Sequence, residues 1–205
     1  MKTILFSTFR RGALPGAVAI LILTVPASVF SGASQAVAPA SKDEGLAAFE
    51  TVRAVLQHPR CQNCHIPGDA PLQFDAGLVH AQNVLRGPDG NGAPGLACAT
   101  CHGIANLPAS YGAHMPPGAP NWHLPPPERK MVFIGLSSGD LCRGLKDERS
   151  NGGKNLDALL KHVDGDKLVL WGWSPGLGRD PVSVPHDAFV AKFKQWVAAG
   201  APCAP

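Results

Sequence analysis

Two short cysteine–histidine patterns are the chemically distinctive feature of this chain. Each reads Cys-x-x-Cys-His, over residues 61–65 and 98–102. Two thiols three residues apart lie within one turn of chain, where they can form thioethers with the two vinyl groups on one side of a porphyrin, and the histidine that follows at once can bind the iron. The patterns therefore predict two covalently bound haem c groups, held by Cys61, Cys64, Cys98 and Cys101, with His65 and His102 as iron ligands.

Three other interpretations of the same cysteines compete with haem attachment. Two Cys-x-x-Cys pairs are also typical of a zinc site, but zinc does not require a histidine directly after both pairs. Thioredoxin-like redox pairs call for a βαβ pattern, which neither motif has around it. Two plain disulfides would close small, strained rings. The sequence favours covalent haem over all three.

The second axial ligand of each iron has three candidates. His80 lies between the two motifs, beside apolar residues, and His123 lies in a proline-rich stretch over residues 115–127. A proline-rich loop has little conformational freedom left to lose when it holds a ligand in place. Met115, which two prolines follow, is the rival, because methionine is also an axial ligand of cytochromes c. The sequence does not decide which iron each candidate serves.

The amino-terminal segment has the pattern of a secretory signal peptide. Basic residues at positions 2, 10 and 11 precede an apolar run, and Ser34-Gln35-Ala36 offers a cleavage site. We expect residues 1–36 to be removed on export to the periplasm, although a retained membrane anchor is the alternative. The remaining residues, 37–205, are expected to form a single compact domain.

The charge balance excludes one class of partner. Three of the 18 Lys and Arg residues lie in the signal segment, so the rest equal the 15 acidic residues in number. Nucleic-acid binding requires clustered Lys and Arg, so we expect no nucleic-acid partner. No later segment has the ~20 apolar residues that a membrane span needs.

Two cysteines lie outside the motifs. In an oxidising compartment Cys142 and Cys203 would form a disulfide, which is the pairing we expect. Two free thiols, or an intermolecular bond through Cys203, are the alternatives.

The periodicity of apolar residues predicts a mainly α fold with long loops rich in Gly and Pro, in which cytochrome c-like helices pack around two covalently attached haems. Ser41 and Glu44 form a capping-box pattern before the first helix, and His58-Pro59 ends it. Further helices are expected over residues 76–85, 127–134, 141–146, 156–163 and 186–199.

Four stretches of the chain carry a family resemblance: residues 60–65, 83–87, 117–125 and 172–179. With the two motifs they make the chain resemble dihaem c-type cytochromes of the bacterial periplasm. More narrowly, it resembles chains labelled as an isoquinoline 1-oxidoreductase subunit. That label implies an oxidoreductase as the partner and no reaction of this chain itself.

Two functions fit the motifs. The first is electron transfer to or from a partner oxidoreductase. The second is catalysis by a dihaem enzyme, peroxidase-like or thiosulfate-oxidising, which needs one open iron site and acid–base groups beside it. The many spare histidines favour saturated irons, and hence a carrier over an enzyme.

Overall fold

The computed structural model describes residues 40–205. The signal peptide predicted over residues 1–36 lies outside these residues. Within the described part of the chain, no helix combines the length and the apolar character needed to cross a membrane.

The first helix, α1, spans Lys42–Leu56 and begins as the sequence predicts. The Ser41 hydroxyl accepts a hydrogen bond from the backbone N–H of Glu44, and the Glu44 carboxylate accepts one from the backbone N–H of Ser41. This reciprocal capping box satisfies N–H groups that have no partner inside the helix. One face of α1 is buried, including Phe49, Val52 and Val55.

The main core lies between α1 and the last helix, α6, which spans His186–Ala198. The rings of Phe49 and Trp196 meet at a centroid distance of 4.9 Å. The helices approach so closely that a Cβ on Gly45 would lie 2.6 Å from the Cβ of Ala199. Two further helices, α3 (Ser138–Lys146) and α4 (Leu156–Gly165), complete the core, and both confirm the predicted helical segments.

The carboxyl-terminal tail is joined to α3 by the disulfide Cys142–Cys203, as expected. The Lys146 ammonium donates a hydrogen bond to the carbonyl oxygen of Ala201 at 2.8 Å. The indole N–H of Trp196 donates one to Pro202 at 3.0 Å. The tail is therefore fixed to the core by one covalent bond and several hydrogen bonds.

The middle of the chain has little regular structure, and two predicted helices are wrong there. Residues 76–85 do not form the predicted helix. They contain the strand β2 (Leu78–Val79), which pairs with β1 (Leu72–Gln73) in a small antiparallel hairpin, and a 3₁₀ turn follows at Ala81–Asn83. Left-handed backbone at Gly77, Gln82 and Asn83 is incompatible with a continuous helix over these residues.

The helix predicted over residues 127–134 is the second wrong prediction. Only a 3₁₀ turn forms there, at Pro127–Arg129. Besides the hairpin of β1 and β2, four short elements were not predicted. They are the helices α2 (Pro59–Gln62) and α5 (Lys167–Leu170) and the hairpin strands β3 (Gly92–Ala93) and β4 (Leu96–Ala97). The described fold is thus mainly α with long loops, which agrees with the predicted fold class.

Candidate functional site

The first motif lies at the end of α2, directly after α1. The His58 side chain accepts a hydrogen bond from the backbone N–H of Arg60, and Pro59 occupies the first turn, where its missing N–H is harmless. The backbone N–H groups of Cys64 and His65 both donate to the carbonyl of Cys61, at 3.2 and 3.3 Å. The five residues therefore curl into a single helical turn.

The second motif adopts the same curl without a helix before it. Cys98–Thr100 form a 3₁₀ turn. The backbone N–H groups of Cys101 and His102 donate to the carbonyl of Cys98, at 3.2 and 3.0 Å. The two motifs are therefore equivalent in local structure as well as in sequence.

His65 is held by a short loop from the far side of the chain. Its Nδ1 lies 2.8 Å from the carbonyl oxygen of Met131, which only accepts, so Nδ1 carries the proton. Its ring stacks on Phe133 at a centroid distance of 3.9 Å. Burial lowers the pKa of His65 to about 4. The ring is therefore neutral at pH 7, with the lone pair on Nε2 available to a ligand.

His102 is held in the same way. Its Nδ1 lies 2.8 Å from the carbonyl oxygen of Pro117, and its ring stacks parallel on Trp122 at a centroid distance of 4.4 Å. Burial lowers its pKa as well. On another side, the ring of His80 lies 6.2 Å away between centroids.

Two cavities lie beside the motifs. The first, of about 410 Å³, is lined by His102, both thiols of the second motif and Cys64 of the first; we call it the His102 cavity. The second, of about 380 Å³, is lined by His65 with Cys61 and Cys64; we call it the His65 cavity. The residues that line both are Arg60, Cys64, Trp122 and Trp171. The two cavities are thus neighbours with a shared wall.

The candidate second ligands divide between the cavities. His80 lines the His102 cavity, and its Nδ1 lies 2.9 Å from the carbonyl oxygen of Ala81. His123 lines the His65 cavity, and its Nδ1 lies 2.6 Å from the carbonyl oxygen of Asn121. Met115 borders neither cavity, and its carbonyl accepts a hydrogen bond from Arg179 at 2.6 Å.

Two histidines that line the cavities were not predicted as site residues. His114 lines the His102 cavity and His162 lines the His65 cavity. The helical spacing of the sequence could have indicated His162. It lies three residues after the core residue Leu159 and hence on the same side of α4. Its Nδ1 lies 3.3 Å from the carboxylate of Asp166.

The half-buried thiols of the first motif are poor nucleophiles in the folded chain. Burial raises the pKa of Cys61 to about 12 and that of Cys64 to about 11. A redox-active dithiol needs a lowered thiol pKa, so this environment argues against a thioredoxin-like pair. All four motif cysteines are unpaired, which also argues against plain disulfides.

Arg60 belongs to the shared wall. Its guanidinium forms an ion pair with Asp75 and lies 5.7 Å from the ring centroid of Trp171. Its Nε is buried without a hydrogen-bond partner. The wall therefore contains a buried guanidinium next to an aromatic ring, an arrangement in which the ring attracts the cation.

The cofactor prediction of two haem c groups needs a correction. Among residues 40–205, no group of three or more His, Cys, Asp or Glu side chains is placed so that it could hold a metal ion. The same finding removes the zinc interpretation. What these residues present is two pairs of thiols, each with one histidine, beside two cavities, and not a metal centre.

The comparison of this chain with protein-family models, with curated proteins and with solved structures finds no match in any of the three.

Proposed function

We propose that this protein transfers electrons in the periplasm, to or from a partner oxidoreductase, and that its two motifs are the sites through which the electrons pass. The observation that carries the proposal is the equivalence of the two motifs. Each curls in the same way, places its thiols at a cavity and leaves Nε2 of its histidine free. Two like sites with a common wall suit the passage of electrons more than the handling of a substrate.

The two motif histidines are held in the same way. In each, Nδ1 lies 2.8 Å from a backbone carbonyl oxygen, which fixes the tautomer. Their rings stack on Phe133 and Trp122, which further restricts ring rotation. The chain thus fixes the position of both rings.

The chain supplies the enclosure around each site. The predicted arrangement of cytochrome c-like helices around attached groups belongs to this proposal, as does export through the segment at residues 1–36. The resemblance to periplasmic electron-transfer chains supports the same function and names an oxidoreductase as the class of partner.

One observation keeps catalysis as the alternative. An enzyme needs an acid–base group beside an open site. Among the described residues that line the His102 cavity there is no Asp or Glu, whereas the His65 cavity holds the pair His162 and Asp166. A peroxidase-like or thiosulfate-oxidising reaction would therefore take place at the first motif.

The test begins with the full chain exported into a bacterial periplasm. We expect its visible spectrum to change reversibly on reduction. The intact mass and a pyridine haemochrome spectrum identify or exclude an attached porphyrin.

Matched variants locate the electron-transfer sites. Replacing Cys61 and Cys64 by Ala, or Cys98 and Cys101 by Ala, should each remove part of the spectral change on reduction. A spectrum that does not change on reduction contradicts the proposal. Binding of cyanide or azide to the oxidised protein supports the enzymatic alternative.

A further inference from the structure

A long uncharged segment runs through the second motif. Between Asp89 and Glu128, residues 90–127 contain no Lys, Arg, Asp or Glu, although the whole chain has 33 of them (18 basic and 15 acidic). Most of this segment is exposed or half-buried. Exposed protein surface ordinarily carries charged residues, so a surface without them is unusual.

Large apolar side chains project from this surface. Ile104 is 82% exposed, Tyr111 63% and Leu107 46%, and all three follow His102 within nine residues. Leu177, 55% exposed, comes from the loop after α5. We call these four residues the motif-two face.

Hydrogen bonds hold the loops of the motif-two face together. The Asn106 side-chain oxygen accepts from the backbone N–H of Gly118 and from the indole N–H of Trp171, and its amide N–H donates to the carbonyl of Ser174. The backbone N–H of His114 donates to the carbonyl of Leu177. The face is therefore a fixed surface next to the second motif.

The first motif has a different electrostatic setting. The side chains that line the His65 cavity include the charged Arg60, Arg129, Lys154 and Asp166, whereas those that line the His102 cavity include the charged Arg60 and Arg179. Among the described lining residues, an acidic side chain therefore occurs only at the His65 cavity.

Building on the proposed function, we propose that the electron-transfer partner docks on the motif-two face through a surface that is itself uncharged and apolar. A charged partner surface would lose hydration there without gaining an opposite charge, which makes that encounter unfavourable. An apolar surface gains from the removal of four exposed apolar side chains from water. Protein–protein contact regions are depleted of charged residues at their centre, and the four residues of this face are uncharged.

Electron self-exchange between two copies of the full exported protein tests this directly. One electron leaves a reduced copy and enters an oxidised copy, with no proton or bond transferred. A second copy is a suitable probe because its own motif-two face is uncharged and apolar. The rate is measured from NMR line broadening in mixtures of the two forms, at low and high ionic strength.

We expect the rate of the unaltered protein to be independent of ionic strength. In the Ile104→Glu and Leu107→Glu variants, like charges face each other when two copies meet. The rate at low ionic strength should fall by roughly tenfold, the lower end of electrostatic effects on association, and should recover with added salt. The control is Ala191→Glu, which adds the same charge on the exposed side of α6 and should leave the rate unchanged.

The outcomes separate this inference from the proposed function. A protein that takes up and releases no electrons refutes the proposed function. A redox-active protein whose self-exchange depends on salt before any substitution refutes the docking inference alone, because charge then governs the encounter. So does a redox-active protein in which Ile104→Glu, Leu107→Glu and Ala191→Glu all leave the rate unchanged.

Discussion

Removal of the disulfide between Cys142 and Cys203 should strongly destabilise the protein. The two cysteines are 61 residues apart, and Cys142 is fully buried beside the core. In the chain-entropy model, closure of a loop of that length restricts the unfolded chain enough to contribute about 4 kcal/mol to the free energy of unfolding. The hydrogen bonds of the tail to α3 remain when the cross-link is lost, so we expect the tail to stay in place in the native state.

The assay is equilibrium unfolding in urea, followed by tryptophan fluorescence, for the unaltered protein and for the double variant Cys142→Ala, Cys203→Ala. The unaltered protein under reducing conditions is the matched control, because it keeps both sulfur atoms and loses only the cross-link. Both should lose about 4 kcal/mol. A loss below about 1 kcal/mol in the reduced protein would refute the reasoning, since it would show that the unfolded chain is not restricted by this bond.

Three further predictions concern the loops around the motifs. Replacing Gly118 by Ala puts a Cβ 2.1 Å from the carbonyl oxygen of Ala105, so the loop after the second motif must move; urea unfolding should show a loss of about 1–3 kcal/mol, and an unchanged midpoint would contradict the contact. Replacing Asn106 by Ala leaves two N–H donors without their acceptor and should lower the free energy of unfolding by about 1–3 kcal/mol; a fully stable variant would show that water replaces the amide. In the folded chain, iodoacetamide at pH 8 should modify the exposed Cys101 well before the half-buried Cys61. The pKa of Cys61, about 12, leaves about one thiolate in 10⁴ at this pH. Peptide mass mapping gives the order of modification, and equal rates would contradict the raised pKa of Cys61.

The helices of the core were predictable because their signals are local. The capping box at Ser41 and the apolar spacing of α6 both lie within one helix, and the structure confirms both. The hairpin at β1 and β2 was missed because two residues per strand give no usable alternation. Its turn depends on left-handed backbone at Phe74, a residue that rarely adopts it.

The candidate site was predictable only in part. The sequence singles out the motif residues and, by their neighbours, His80 and His123. The cavities that the two histidines line do not follow from the sequence. The acceptors of the motif histidines do not, because Met131 lies 66 residues after His65 and only the folded chain brings them together. The same holds for the shared wall, to which Trp122 and Trp171 come from separate loops.

The environment of the first motif limits the reactivity of its thiols after folding. Cys61 packs against the core that α1 and α6 build, and this environment raises the pKa of its thiol to about 12. A reagent that needs the thiolate should therefore react with Cys61 more slowly in the folded chain than in the unfolded one. Formation of the core thus protects this thiol from alkylation and oxidation.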